Sequence, residues 1–84
     1  MRHARDQDLD RLEPLLVILR TVPGMVEKKR GIFYRKSRSF LHFHEDPKGM
    51  FADIRTEDLS DFERIDVTGP AGRDHLVSLA AKRA

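Results

Sequence analysis

Residues 31–55 of the chain are GIFYRKSRSFLHFHEDPKGMFADIR, in which apolar and polar side chains alternate over short runs. A period of two in runs rich in aromatic and β-branched residues is typical of β-strands. Turn-forming residues separate the runs, at Lys36-Ser37 and from Asp46 to Gly49. A further run follows the acidic loop from Thr56 to Asp61. The predicted strands lie near residues 30–35, 38–45, 50–55 and 62–67.

Apolar residues at helical spacing precede and follow these strands. Four leucines with a 3-4-3 spacing predict an N-terminal helix with one apolar stripe, namely Leu9, Leu12, Leu16 and Leu19. Pro14 leaves two alternatives, because the helix either begins near this residue or is bent there. At the other end, Thr68 is a candidate N-cap and Pro70 suits the first turn of a second helix. The apolar face of that helix comprises Leu76, Leu79 and Ala80.

The element order is therefore α-β-β-β-β-α. It predicts a single small α+β domain of residues 1–84, with a four-stranded antiparallel sheet flanked by the N- and C-terminal helices. The 84 residues, 39% hydrophobic and 36% charged, suit one domain with a modest core. The absence of cysteine excludes disulfides and thiolate metal ligands. The N-terminus is charged and the longest apolar run is far too short to span a bilayer, so we expect a cytoplasmic protein without membrane contact.

Side-chain parity assigns the strand residues to two faces if Lys36-Ser37 and Pro47-Lys48 are tight turns. The predicted core face carries Ile32, Tyr34, Leu41, Phe43, Ala52 and Ile54. The opposite face carries Phe33, Phe40, His42, His44, Phe51, Asp53 and Arg55. Three phenylalanines on one face predict that something covers it. The alternatives are the N-terminal helix, another returning segment of the chain, a ligand, or a second copy of the chain.

The string His42-Phe43-His44 points two imidazoles to the same side of a strand, and the predicted register places Asp53 opposite His42. Two imidazoles and a carboxylate suit zinc or another first-row metal. The alternative is a histidine pair that only forms hydrogen bonds with Asp53. No serine or threonine nucleophile can be placed beside them, and the five glycines match no phosphate-binding fingerprint. We therefore predict no enzyme activity and no cofactor.

Basic residues concentrate before and within the first hairpin. Between residues 28 and 38 there is no acid, and the cations are Lys28, Lys29, Arg30, Arg35, Lys36 and Arg38. Such a hairpin can follow a phosphate backbone, with Tyr34 or Phe33 stacking on a base. The alternative role of these charges is to keep the strand edges from aggregating.

Three segments resemble the bacterial MmcQ/YjbR-like domains. LRTVPG at residues 19–24, followed by Glu27, is similar to their helix-to-sheet entry. Residues 32–43, IFYRKSRSFLHF, look like their first hairpin, and residues 49–55, GMFADIR, like the following strand. The resemblance covers residues 16–55 and implies an antiparallel sheet flanked by helices. A DNA-binding role has been suggested for such domains from their shape.

These observations predict a non-catalytic binding or protein-interaction module. A homodimer through the face of Phe33, Phe40 and Phe51 is the first interpretation, with His42, Asp53 and Arg55 as its polar edge. Nucleic-acid binding through the basic hairpin, residues 28–38, is the alternative function.

Overall fold

The computed structural model describes residues 1–84 as six strands and two helices. In chain order these are β1 (Arg2–His3), α1 (Asp6–Leu19), β2 (Val26–Lys29), β3 (Ile32–Arg35), β4 (Arg38–Asp46), β5 (Gly49–Arg55), β6 (Phe62–Asp66) and α2 (Pro70–Arg83). The antiparallel sheet has the order β2-β3-β4-β5-β6, and β1 pairs with β4. The predicted α+β class with two helices is confirmed.

The predicted strand number of four is wrong, because β1 and β2 also belong to the sheet. A two-residue strand such as β1 is too short to show a period. In β2, three of the four residues, VEKK, are charged, so the segment has no apolar alternation. Both strands are held by backbone pairing with a neighbour rather than by burial of their own side chains.

The core lies between the sheet and both helices, which share one face of the sheet. Its fully buried members include Leu12 and Leu16 of α1, Leu41 and Ile54 of the central strands, and Leu76 of α2. Burying each such side chain contributes about 1.5–3 kcal/mol. The face of β4, β5 and β6 away from the helices carries no helix, and we refer to it as the open face. Neither helix is long and apolar enough to cross a membrane.

Helix α1 runs through Pro14, which lies inside it. The alternative in which the helix begins near Pro14 is therefore wrong. Proline within a helix costs about 3 kcal/mol, but the earlier turns bury Leu9 and Leu12 in the core. The free energy gained by burying the leucine stripe exceeds the cost of the proline, so the helix continues as the 3-4-3 spacing indicated.

Helix α2 begins at Pro70 as predicted, but its N-cap is Gly69 and not Thr68. The Thr68 hydroxyl instead accepts a hydrogen bond of 3.0 Å from the backbone N–H of Met50 in the neighbouring strand. Thr68 thus ties the start of β5 to the segment that leads into α2.

The predicted register is confirmed in the second hairpin, where β4 and β5 pair His42 with Asp53 and His44 with Phe51. It is wrong in the first hairpin. Arg35 pairs with Arg38 across a turn in which Lys36 and Ser37 have φ of 51° and 69°, as in a type I′ turn. The register then shifts, and Phe33 pairs with Leu41 rather than with Phe40.

This β-bulge moves two phenylalanines out of the predicted interaction face. A bulge inserts one unpaired residue in β4, so the pairing of β3 with β4 changes parity there and Phe33 comes to lie on the same face as Leu41. Phe33 and Phe40 are each 1% exposed and belong to the core cluster that includes the leucines of α1. A surface that contains all three rings is therefore wrong, and of the three only Phe51 stays half-buried on the open face.

Candidate functional site on the open face

The open face of the sheet carries a compact group of histidine, acidic, basic and aromatic side chains. The alternation of β4, β5 and β6 places there His42, His44, Phe51, Asp53, Phe62 and Arg64. His3 joins them because β1 pairs it directly with His44. We refer to His3, His42, His44 and Asp53 as the histidine cluster.

Asp53 is the centre of this group. It is 8% exposed, and its two carboxylate oxygens accept hydrogen bonds of 2.9 Å each from Nε and Nη2 of Arg64. The Oδ2 atom also lies 3.0 Å from Nε2 of His44 and 3.5 Å from Nε2 of His42. Burial raises the pKa of Asp53, but the hydrogen bonds and charge of Arg64 outweigh burial, so the pKa lies below its usual value. The buried carboxylate is therefore ionised at neutral pH.

The imidazoles pack against one another and against an aromatic ring. The ring centroids of His42 and His44 are 5.0 Å apart, and His3 lies 4.6 Å from His44 and 5.8 Å from His42. The rings of Phe62 and His42 meet in a T-shaped arrangement, with their centroids 5.0 Å apart. Desolvation lowers the pKa of His42, although the negative charge of Asp53 opposes the shift. His42 is consequently a neutral imidazole at pH 7, with a lone pair available to a ligand.

The remaining predicted residues of this surface are Phe51 and Arg55, both half-buried. Arg55 donates a hydrogen bond of 2.8 Å to the carbonyl of Ser39, and its guanidinium stacks on Phe62 at 4.2 Å. The predicted strand register thus places His42, His44 and Asp53 together correctly. It did not identify Phe62 and Arg64, although alternation along β6 was the available signal for both.

His3 gave no signal in the sequence, because β1 is only two residues long. Its position depends on ionic contacts nearby. Arg2 donates a hydrogen bond of 2.9 Å to Asp8 in the first turn of α1 and lies 3.2 Å from Glu45 of β4. These contacts hold β1 against β4 and thereby hold His3 beside His44.

The six cations of the predicted basic hairpin divide into two groups. Arg30 lies against α1 and forms ion pairs of 2.9 Å with both Asp10 and Glu13. The other five form no ion pair with a carboxylate, and they are Lys28, Lys29, Arg35, Lys36 and Arg38. Lys28 also lies 5.5 Å from the centre of the Tyr34 ring. The free positive charge is thus concentrated on strand β2 and the β3–β4 turn.

A small cleft accompanies the turn. It has room for only about 10 Å³, roughly one water molecule, and is lined by Arg35, Arg38 and Arg55 together with Ser39, Phe40 and Leu59. Three guanidinium groups without a carboxylate partner create a local positive potential. The positive potential therefore favours an anion at the surface of the turn, since the cleft itself is too small to admit a phosphate.

Comparison of the chain with protein-family models, curated proteins and solved structures finds no match. The resemblance of residues 16–55 to MmcQ/YjbR-like domains stays a prediction from the strand pattern. The fold and site define a small α+β domain whose sheet is covered by helices on one face and carries a histidine-rich cluster on the other.

Proposed function

We propose that this protein is a non-catalytic binding module that pairs with a second copy of itself through the open face of the sheet. The main observation in support is that this face presents aromatic side chains that no helix covers. Phe51 and Phe62 present half-buried rings there with no helix above them, and exposed aromatic rings are enriched at the centres of interfaces.

The charges on the face favour a copy of the same chain. Asp53 already has its partner in Arg64, so covering it leaves no unpaired buried carboxylate. Arg64 is also 49% exposed at its side chain, and Asp66 is exposed two residues further along β6. A twofold axis through the face brings surfaces of both charge signs into contact, as a self-complementary interface requires.

The dimensions of the molecule also suit a dimer. The two longest extents, 31 and 22 Å, limit a flat face to about 700 Å² per copy. The open face of β4, β5 and β6 is only part of that area, so two copies bury less than about 1,400 Å², the size of a modest, reversible interface.

Phe51→Asp is expected to convert the dimer into a monomer, because it places an unpaired charge at the centre of the interface. The oligomeric state is measured by sedimentation equilibrium at about 100 μM protein, well above the micromolar Kd of a modest interface of this size. A chelator is present so that metal ions cannot bridge copies.

The matched control is Val17→Asp, since Val17 is 53% exposed on α1, away from the open face. This variant should remain dimeric. The proposal fails if the unmodified protein is a monomer at this concentration, or if a folded Phe51→Asp variant sediments as a dimer.

We propose nucleic-acid binding through the basic hairpin as a second candidate function. It is supported by the five cations without carboxylate partners and by the arginine-lined cleft at the turn. It is also the role suggested for the domains that residues 16–55 resemble. The cations on the strand edge and at the turn can contact successive phosphates of a nucleic acid. Arg30 is not one of them, because its charge is already neutralised by Asp10 and Glu13 of α1.

Replacing both Arg35 and Arg38 by glutamine is expected to weaken binding to a short DNA duplex at least about tenfold at low salt. It should also lower the slope of log affinity against log salt by about two, one for each lost phosphate contact. Fluorescence anisotropy at several salt concentrations measures both quantities. Arg30→Gln is the control and should leave the slope unchanged. Equal affinities for the double variant and the unmodified chain would exclude the hairpin as the contact surface.

A further inference from the structure

We propose that the histidine cluster is a zinc-type metal site, in which His42, His44 and Asp53 are ligands from adjacent strands and His3 is the fourth ligand. All four residues lie within one chain. The inference therefore goes beyond the proposed dimer and does not depend on it.

The donor atoms are already spaced for a small divalent cation. In a tetrahedral site with zinc bonds of about 2.0–2.1 Å, neighbouring donor atoms lie about 3.3 Å apart. The Oδ2 atom of Asp53 is 3.0 Å from Nε2 of His44 and 3.5 Å from Nε2 of His42, which bracket that value. Ligand atoms of all three residues lie within 4.8 Å of one another. An ion can therefore bind after only small side-chain rotations.

Arg64 positions the carboxylate without occupying it fully. A carboxylate offers about four lone-pair sites, and the bidentate contact with Arg64 uses one on each oxygen. A second lone pair of Oδ2 stays available on the side where the imidazoles lie. Hydrogen bonds of this kind to a ligating carboxylate fix its orientation and are a regular part of metal sites.

The backbone makes the arrangement rigid. His42, His44 and Asp53 stand on β4 and β5, the two longest strands of the sheet, in an unbroken antiparallel register from Leu41↔Ile54 to Asp46↔Gly49. Sites built on strands hold their geometry better than sites on loops.

His3 lies on β1, the third strand that contributes a residue to the cluster. It pairs with His44, and its ring centroid lies 4.6 Å from that of His44, so rotation of its exposed side chain can bring a nitrogen to the ion. Binding of His3 closes the coordination sphere with protein donors, as in structural zinc sites.

The donor set also selects the class of metal. Three imidazoles with one carboxylate suit Zn²⁺, Co²⁺, Ni²⁺ or Cu²⁺. Calcium and magnesium prefer six or more oxygen ligands and are not expected to bind here. Because the chain has no cysteine, no thiolate competes for the metal in solution.

Isothermal titration calorimetry with zinc chloride on the full chain tests the site. We expect one zinc per chain, with at least about 100-fold weaker binding in His44→Ala and about tenfold weaker binding in His3→Ala. His75→Ala is the matched control, since His75 is exposed on α2 and does not belong to the cluster. Cobalt titration should give the intense visible absorption of a tetrahedral site, whereas calcium should give no heat.

A second measurement covers the case in which His44→Ala does not fold. In long-range ¹H–¹⁵N spectra of the unmodified chain, one equivalent of zinc should shift the ring nitrogens of His3, His42 and His44 and leave those of His75 unchanged. No zinc binding, or shifts confined to His75, overturns the proposal. So does equal zinc affinity in a folded His44→Ala variant.

The zinc measurements are repeated at protein concentrations at which sedimentation shows a monomer. If the zinc affinity of the monomer equals that measured at high protein concentration, the site lies within one chain, whether or not the proposed dimer forms. Zinc binding that appears only in a dimer overturns the single-chain site and leaves the dimer intact.

Discussion

Gly72→Ala is expected to lower the free energy of unfolding by at least about 3 kcal/mol. Gly72 is the third residue of α2, and a Cβ atom there would overlap the backbone carbonyl oxygen of Asp66. The Cα atom of Val67 lies 3.6 Å from the same position. The helix can approach the end of β6 this closely only because residue 72 has no side chain.

The neighbouring backbone cannot easily yield to the extra atom. The N–H of Val67 donates a hydrogen bond of 2.9 Å to the carbonyl of Met50. The carbonyl of Val67 accepts one of 2.8 Å from Nε of Arg73. Relief of the clash must therefore move α2 away from the sheet and expose Leu76, which is fully buried.

Urea denaturation followed by far-ultraviolet circular dichroism measures this effect, against a total stability of about 4–12 kcal/mol for a chain of this length. Gly69→Ala is the matched control, because a Cβ at Gly69 meets nothing within 4 Å. That variant should lose less than about 1 kcal/mol. Equal unfolding midpoints for the two variants would contradict the close approach at Gly72.

Asp8→Ala is expected to cost about 3 kcal/mol at pH 7, because it removes a buried carboxylate on which three donors converge. Asp8 is 2% exposed. It accepts hydrogen bonds of 2.9 Å from the backbone N–H of Arg5, 2.9 Å from Arg2 and 3.0 Å from Arg11. The variant leaves the first turn of α1 without this acceptor and leaves two guanidinium groups without their shared partner.

The lowered pKa of Asp8 predicts that the chain loses stability in acid. The hydrogen bond from the backbone of Arg5 lowers the pKa of Asp8 below its ordinary value of 3.8, burial opposes the shift, and Arg2 and Arg11 add to the lowering. A carboxylate with a lowered folded-state pKa stabilises the fold above its ordinary value and loses that contribution as the pH falls through the folded value. The difference between the unmodified chain and Asp8→Ala should therefore shrink between pH 7 and pH 2.

Urea unfolding at both pH values tests the Asp8 prediction. Asp6→Ala is the control, since the Asp6 side chain is 88% exposed in the same turn. It should change the stability by less than about 0.5 kcal/mol at either pH. A pH-independent difference for Asp8→Ala would show that the carboxylate charge is not what stabilises the turn.

In the second hairpin, the sequence alone is sufficient to predict the strand register. A turn at Pro47-Lys48 and strict alternation on both sides fix the pairing of His42 with Asp53, because a shift by one residue would turn the apolar face of both strands toward solvent. The central part of the candidate site was therefore predictable. Arg64 follows from the same reasoning extended to β6, where the structure pairs it with Asp53.

In the first hairpin, the sequence alone does not predict the β-bulge between β3 and β4. Ser39, Phe40 and Leu41 give no local indication of a bulge, and the turn residues are the same with or without one. The bulge is favoured by tertiary packing, since it places Phe33 and Phe40 in the core together with the leucines of α1. A parity argument carried across such a position assigns the residues on one side of the bulge, here Phe33 of β3, to the wrong face, while the assignment of His42 and His44 beyond it stays correct.

The connectivity of the sheet implies an order in which the molecule folds. Every strand pair from β2 to β6 joins neighbours in the chain, so these hairpins close short loops at a low entropic cost. The pairing of His3 with His44 is the exception, because its two residues are separated by α1 and most of the sheet. The histidine cluster is then complete only when this long-range strand pairing has formed. Metal binding at the cluster therefore distinguishes the fully folded chain from a sheet that still lacks its N-terminal strand.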